Sequence, residues 1–220
     1  MAERTLIFHF DYISPYSYLA WHALKTFAPA HDLVVEPKPT VFAGLLNEHG
    51  HKGPGEIEPK RAYMFKDCMR GAALLGVPFE PPATHPFNPL PSLRATLLGT
   101  DYDIRSELIT RLFAATWAES RDIGSAEVVA EICDEVGVPD ARARIQEPAV
   151  KKRLLDLGAE AITLAVSRIF ALSLLNLSQA FVAAGAPDSS YFQTLGRLYY
   201  GAAQFGYAMH MVFFCLGAIV

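Results

Sequence analysis

The first forty residues pass from an apolar run to a helical pattern and back to an apolar run. Residues 5–10 are mostly apolar β-formers. The segment after them carries apolar residues at helical spacing: Tyr16, Ala20, Ala23 and Phe27. Pro29 ends this helix, and residues 33–35 form a second predicted strand that residues 37–39 close. A strand, a helix and a strand in this order predict a βαβ unit with parallel strands.

Helical periodicity dominates the middle of the chain. Helices are predicted over residues 60–75, 90–98, 105–118 and 126–136, and Pro148 opens another. The proline-rich residues 78–82 are too short for a domain linker and predict a rigid turn. The chain is therefore predicted to be a small α/β frame with a helical insertion.

The last third of the chain has a different character. Between residues 169 and 220 the only formally charged side chains are Asp188 and Arg197, and residues 198–220 carry none. A stretch of this length is long enough to span a bilayer. The pattern leaves three interpretations open, namely a membrane hairpin, two buried helices that cap the domain, and a non-native join such as a gene fusion or frameshift. We therefore divide the chain into a domain of residues 1–163 and an apolar helical tail of residues 164–220.

Charge and cysteine usage narrow the function classes. The formal net charge of -4 gives no basic footprint for nucleic acid. Cys68, Cys133 and Cys215 are far apart and odd in number, so neither a disulfide framework nor a zinc knuckle is predicted. The first residues do not form a secretory signal, and a reducing cytoplasm is expected, with membrane association in the hairpin interpretation.

Ser14 lies where the first strand passes into the first helix. Ser14 is the predicted N-cap and Pro15 the first helical residue, a combination that capping alone explains at about 1 kcal/mol. The N-terminus of a helix also stabilises anions, and the Ser14 hydroxyl is a donor placed at that end. The residues alone thus leave a structural cap and an anion site as the two interpretations.

The motif around Ser14 has a known counterpart. The string Phe10-Asp11-x-x-Ser14-Pro15-x-Ser17-Tyr18-Leu19-Ala20 resembles the first strand and helix of the DsbA-like thioredoxin-fold group, specifically the 2-hydroxychromene-2-carboxylate isomerases and kappa-class glutathione transferases. The resemblance continues, in the same order and at similar spacing, through residues 44–63, 75–79 and 85–90. In disulfide oxidoreductases of this group Cys-x-x-Cys occupies positions 14–17. Serine stands at both ends here, so dithiol chemistry is not expected at this site.

The resemblance implies an α/β fold of the DsbA-like thioredoxin type with a helical insertion. It covers about the first 160 residues. Beyond Ala161 the family continues with a Gly-Val-Pro-Thr/Ser loop containing a cis proline, two antiparallel strands and a final helix, and none of these is recognisable here. Residues 137–139 read Gly-Val-Pro, but a predicted helix opening follows them. The segment that usually holds the γ-glutamyl end of glutathione is therefore missing from the sequence pattern.

The resemblance also implies a function and its residues. It implies a glutathione-dependent isomerase of 2-hydroxychromene-2-carboxylate or a related aromatic-degradation intermediate, working as a homodimer. Ser14 would donate to the glutathione sulfur, and Lys60 and His51 would hold its carboxylate or backbone groups. Tyr16 and Asn88 would line the substrate pocket. A glutathione transferase or dehalogenase with the same Ser14, and a non-catalytic thioredoxin-like domain, are the alternatives.

Each of these residues also has a structural interpretation. Lys60 is equally typical of a solvated lysine at a helix start, and Tyr16 of a core aromatic. His49 and His51 form a histidine pair, but their spacing supplies no third or fourth ligand. A polar loop is therefore predicted there, and no metal site.

Overall fold

Two parallel strands, β1 (Arg4–Phe10) and β2 (Leu33–Pro39), lie at the base of the fold. The computed structural model describes residues 4–48 and 50–163. Arg4 pairs with Leu33 and Phe10 with Pro39, which confirms the parallel strand pair of the βαβ unit. The predicted end of the second strand was wrong, because β2 continues through residues 37–39. Buried and more exposed residues alternate along β2, and its two prolines continue the buried set. An edge strand tolerates their missing N–H groups.

Helix α1 (Pro15–Ala30) connects the two strands, with Ser14 as its N-cap and Pro29 in its last turn. The predicted start is confirmed, but the predicted apolar face was wrong. The buried side is formed by a neighbouring set of residues: Ser17, Tyr18, Trp21, Leu24 and Ala28. Phe27 is 43% exposed and its ring contacts that of His31. The error is a rotation of the apolar stripe, since Trp21 and Leu24 outweigh the small residues Ala20 and Ala23 in buried area.

The remaining elements are helical. They are α2 (Phe42–Glu48), α3 (Glu58–Leu75), α4 (Leu90–Thr96), α5 (Tyr102–Trp117), α6 (Ala126–Glu135), α7 (Ala141–Arg144) and α8 (148–163), with a short 3₁₀ turn at Pro54–Glu56 before α3. The helices predicted from periodicity are confirmed with ends shifted by up to three residues. α2 was not predicted, because seven residues carry too little periodicity to be recognised. Gly76 ends α3 in the left-handed conformation, with φ of 67°.

An aromatic core joins the helical insertion to β1. Phe10 and Tyr12, at the carboxyl end of β1, pack against Phe113 of α5 with ring centroids 5.6 and 4.7 Å away. The Tyr12 hydroxyl lies 2.7 Å from Thr96 Oγ1 of α4 and is hydrogen-bonded to it. Trp117, the last residue of α5, is fully buried beside them. The insertion therefore packs on the end of β1 from which Ser14 follows.

The tail lies outside the described residues. The predictions for residues 164–220, including the span at 198–220, the missing cis-proline strands and Cys215, fall there, as does His49. In residues 4–48 and 50–163, none of the helices has the length and apolarity needed to cross a membrane.

Candidate active site

The turn between β1 and α1 presents Ser14 at the first turn of a sixteen-residue helix. Ser14 is only 4% exposed, and its Oγ accepts a hydrogen bond from the Ser17 backbone N–H at 3.1 Å. The cap predicted for Ser14 is therefore confirmed. A hydroxyl that accepts one hydrogen bond keeps its own proton to donate, so capping leaves the group able to serve an anion as well.

The peptide group between Tyr12 and Ile13 is held at both of its ends. The Tyr12 carbonyl oxygen accepts from Nε1 of Trp117 at 2.8 Å, and the Ile13 N–H donates to Oδ1 of Asp11 at 3.1 Å. The two side chains that make these bonds, Trp117 and Asp11, are both buried. The plane of this peptide is consequently fixed two residues before Ser14.

The next peptide group, between Ile13 and Ser14, is held in the same way. The Ile13 carbonyl oxygen accepts from Nε2 of His85 at 2.9 Å, and the Ser14 N–H donates to the Asp11 carbonyl oxygen at 3.1 Å. Because a carbonyl only accepts, His85 carries its proton on Nε2. Two successive peptides are thus immobilised before Ser14, and neither of the distant side chains that donate to them, His85 and Trp117, is predicted from the sequence.

Asp11 connects this turn to α2. Its carboxyl group is 4% exposed, and its second oxygen, Oδ2, accepts from the backbone N–H of Phe42 at 2.8 Å. Burial raises the pKa of Asp11 from 3.8 to about 7, against the lowering effect of the hydrogen bonds from Phe42 and Ile13. The signal available in the sequence was an acidic residue placed directly after an apolar strand.

His85 lies between the Ser14 turn and the 3₁₀ turn that precedes α3. Its ring is in edge contact with Phe65 and tilted against Trp117, with centroids 5.4 and 5.8 Å away. A Cβ added to Gly55 would lie 2.6 Å from Cε1 of His85, so only glycine leaves room for the ring. Burial lowers the pKa of His85, and its Nδ1 has no hydrogen-bond partner among the described residues.

Tyr16 joins the start of α1 to α3. Its hydroxyl donates to Oδ2 of Asp67 at 3.0 Å, and burial raises the pKa of the phenol. Lys60 lies seven residues before Asp67 on α3, and two helical turns place both on the same face of the helix. Tyr16 and Asp67 thus tie the first turn of α1, which follows Ser14, to the middle of α3, whose first turn carries Lys60. The pocket role of Tyr16 and the glutathione role of Lys60 remain predictions.

His51 and Asn88 are both exposed. The backbone N–H of His51 donates to the Leu46 carbonyl oxygen at 2.8 Å, which closes the loop after α2. Oδ1 of Asn88 accepts from the Leu90 N–H at 3.1 Å, at the start of α4. The structure thus shows these two residues in turns and leaves their binding roles as predictions. In the described part of the chain, no group of three His, Cys, Asp or Glu residues is placed to hold a metal ion.

The two cysteines within the described residues are buried and form no disulfide. Cys68 lies on α3 and Cys133 on α6. Burial raises the pKa of both thiols, that of Cys133 to about 12. Since the thiolate is the reactive form, both have the character of small apolar core residues.

The DSBA-like thioredoxin domain family matches the sequence over residues 5–167. Glutathione S-transferase kappa 2 of Caenorhabditis elegans is 34% identical over 84 residues, which are 37% of this chain and 37% of that protein. Glutathione S-transferase kappa 1 of Rattus norvegicus is 22% identical over 166 residues, 70% of this chain and 73% of its own. The 2-hydroxychromene-2-carboxylate isomerase of Sphingobium xenophagum is 37% identical over 83 residues, 37% of this chain and 43% of its own. The chain thus spans less than half the length of the first and third of these relatives.

Solved structures share the fold. A selenomethionine 2-hydroxychromene-2-carboxylate isomerase matches with a TM-score of 0.67 at 20% identity, over 84% of this chain and 100% of that one. The cytosolic disulfide reductase DsbM from Pseudomonas aeruginosa with GSH matches with a TM-score of 0.55 at 18% identity, over 74% of this chain and 82% of that one. At these identities the likeness concerns the fold alone.

Proposed function

Because the chain belongs to the DSBA-like thioredoxin domain family, we propose that it is a glutathione-dependent isomerase of 2-hydroxychromene-2-carboxylate or a related aromatic-degradation intermediate. The observation that carries this proposal is the position of Ser14, a buried hydroxyl at the first turn of α1, on a backbone held by four hydrogen bonds. Relatives named as isomerases and as kappa-class transferases support a family member that uses glutathione.

The chemistry required of this site is the stabilisation of a thiolate. A free thiol has a pKa of about 8.5, and each unit by which the pKa falls corresponds to about 1.4 kcal/mol. The Ser14 O–H and the N-terminal end of α1 together supply stabilisation of that order. The residues at the sulfur end therefore fit glutathione.

The remaining residues bind and orient. Lys60, at the first turn of α3, would hold a glutathione carboxylate, and His51, in the loop before the 3₁₀ turn, would hold its carboxylate or backbone groups. Tyr16 and Asn88 would line the substrate pocket. When bound, glutathione would supply a thiolate that adds to a conjugated carbon, so that a double bond becomes single and can rotate, and the double bond would form again as the carbon–sulfur bond breaks and the thiolate leaves.

The test is conversion of 2-hydroxychromene-2-carboxylate by the full-length chain, followed by absorbance with and without glutathione. We expect turnover that requires glutathione and saturates with it. Calorimetric titration of glutathione into the protein runs alongside. Glutathione binding without isomerisation would refute the isomerase and keep a glutathione-binding domain, whereas no binding would refute the function as a whole.

A glutathione transferase is the second candidate. The kappa-class relative of Rattus norvegicus aligns over 166 residues, about twice the 83 residues of the isomerase from Sphingobium xenophagum. Both activities use the same Ser14 and differ only in the electrophile. Conjugation of an activated aryl halide to glutathione, at a rate above that of the isomerisation, would favour the transferase.

A further inference from the structure

The hydrogen bond between His85 and the Ile13 carbonyl assigns a role to a residue that neither the motif nor the proposed function includes. We propose that His85 is a positioning residue, which fixes the peptide before Ser14 and holds the turn at Pro54–Glu56 against it. The inference rests on the proposed function, because it takes Ser14 and the start of α1 as the place where the glutathione sulfur binds. His85 itself is not assigned contact with glutathione or substrate.

His85 holds the peptide group between Ile13 and Ser14. Its carbonyl belongs to Ile13 and its N–H to Ser14, so the rotation of this one group sets the direction of the Ser14 side chain. Without the donor at 2.9 Å, the carbonyl would be left unsatisfied in a part-buried place, and a tilt of the peptide would relieve this. A tilt would also change the orientation of this peptide dipole relative to the anion site at Ser14.

The Nδ1 side of the His85 ring lies against the turn at Pro54–Glu56. The Cε1–Nδ1 edge of His85 lies directly over Gly55, within the turn that leads into α3 and Lys60. Phe65 of α3 and Trp117 of α5 contact the same ring. One imidazole therefore touches the elements that carry the two ends of the proposed glutathione site, Ser14 on one side and the approach to Lys60 on the other.

The test uses a thiol placed at the site itself. In a Ser14→Cys background, the pKa of the introduced thiol reports the stabilisation of an anion at the start of α1 without any need for glutathione. The pKa of this thiol is measured by thiolate absorbance near 240 nm, after subtraction of the absorbance of the protein that retains Ser14. A helix N-terminus lowers a cysteine pKa below about 8.5, and we expect the introduced thiol to show this.

Two substitutions separate the hydrogen bond from the ring. His85→Gln keeps an N–H donor at a similar reach, whereas His85→Phe keeps the packing against Phe65 and Trp117 and removes the donor. In the Ser14→Cys background, we expect His85→Phe to raise the thiol pKa by about one unit, a tenfold loss of thiolate at fixed pH, and His85→Gln to restore most of it. His22→Phe changes another half-buried histidine, on α1, and should leave the thiol pKa unchanged.

A further pair of variants tests the position of the His85 ring without changing His85 itself. Gly55→Ala places a methyl group 2.6 Å from Cε1 of His85, whereas a Cβ at Gly44 in α2 would meet nothing within 4 Å. We expect Gly55→Ala to raise the thiol pKa in the same direction as His85→Phe and Gly44→Ala to leave it unchanged. This pair decides the question if His85→Phe does not fold, which circular dichroism would reveal.

The outcomes distinguish this inference from the proposed function. An unchanged thiol pKa in folded His85→Phe, or in Gly55→Ala if the former does not fold, overturns the role of His85. Equal shifts in His85→Phe and His85→Gln would also overturn it, because the donor would then be irrelevant. The expected pattern of thiol pKa values, together with no calorimetric binding of glutathione by the unaltered protein, would support the positioning role and refute the proposed function.

Discussion

The indole N–H of Trp117 donates to the Tyr12 carbonyl oxygen at 2.8 Å, although 105 positions separate the two residues in the chain. Trp117 is the last residue of α5, and Tyr12 precedes Ser14 by two positions. The helical insertion thus supplies a hydrogen bond to the turn that presents Ser14. The insertion therefore contributes directly to the site and also completes the core.

Removing this indole N–H should weaken both the fold and the site. In Trp117→Phe the ring stack on Phe79 at 5.7 Å is kept in part, while the Tyr12 carbonyl loses its buried donor. We expect the free energy of unfolding to fall by about 1–3 kcal/mol for the unsatisfied carbonyl, with a further loss for the smaller ring. Urea unfolding measures the change.

A second tryptophan offers the matched control for that substitution. Nε1 of Trp21 donates to Thr110 Oγ1 at 3.0 Å, away from the Ser14 turn. Trp21→Phe should also lower stability, yet only Trp117→Phe should reduce the thiolate fraction of bound glutathione. An equal effect of both variants on the thiolate would argue against a link between Trp117 and the site.

Ser14 substitutions separate its cap role from its proposed catalytic role. Ser14→Ala should lower stability by about 1 kcal/mol and turnover on the order of 10²-fold, by analogy with the loss of one oxyanion donor. Ser14→Asp caps the helix equally well but brings a negative charge to the sulfur, so it should raise the thiol pKa. Ultraviolet titration of glutathione bound to the three proteins is the measurement. Full activity in Ser14→Asp would leave Ser14 as a cap alone.

Lys60 is expected to act on binding rather than on turnover. Lys60→Met keeps most of the aliphatic stem and removes the charge, so a lost charge-assisted hydrogen bond of about 1.5–3 kcal/mol should raise KM for glutathione by one to two orders of magnitude. We expect kcat to change little. Lys66→Met, at an exposed position of the same helix, is the control. A similar rise in KM for both variants would indicate a general loss of positive charge.

The buried carboxyl of Asp11 should make stability depend on pH. Its pKa is raised to about 7 by burial, so between pH 3.8 and 7 the folded protein binds a proton that the unfolded chain has released. The contribution of Asp11 to the free energy of unfolding therefore falls as pH rises through this window. Asp11→Asn removes the titration, and its stability relative to the unaltered protein should improve from pH 4 to pH 8.

His9 gives the opposite slope and serves as the comparison. Burial lowers its pKa from 6.5 to about 4, so the unfolded chain binds the extra proton there, and stability falls as pH drops from 6.5 toward 4. His9→Gln should flatten that acid limb, whereas Asp11→Asn should not. Urea unfolding across the pH range measures both slopes. If Asp11→Asn leaves the pH dependence of the free energy of unfolding unchanged up to pH 7, the assignment of Asp11 is wrong.

The cysteines lead us to expect no dithiol activity. Serine stands at positions 14 and 17, and Cys68 and Cys133 are buried with raised pKa values. Insulin reduction should therefore remain at background. Turnover that a single Cys68→Ala or Cys133→Ala substitution abolishes would contradict this assignment of the thiols.

The local features of the fold were predictable because their causes are local. The apolar run before Asp11, the Ser14–Pro15 helix start and the periodicity of α3 and α5 each act over a few residues, and their predicted positions are close to those observed. The family motif placed Ser14 correctly at the first turn. The face of α1 was misjudged, since the choice between neighbouring stripes depends on what packs against them.

The supports of the site were not predictable in the same way. His85 reaches the Ile13 carbonyl from 72 positions away, and Trp117 reaches the Tyr12 carbonyl from still further. A single histidine in a proline-rich segment, or a tryptophan at a helix end, carries no local sign of its partner. Both contacts arise from the way the helices fold back onto the turn, which periodicity does not encode.

The bond between Trp117 and Tyr12 limits the modularity of this domain. A shortened domain could keep β1, α1 and β2 and replace α4 to α6 with a short linker. It would retain the Ser14 cap, but the Tyr12 carbonyl would lose its hydrogen-bond donor. Grafting the motif alone onto another thioredoxin scaffold would transfer the serine without the indole that aligns it. Transplantation of this site therefore requires the Ser14 turn to move together with the distant segments that hold it, and the helical insertion belongs to the smallest transferable unit.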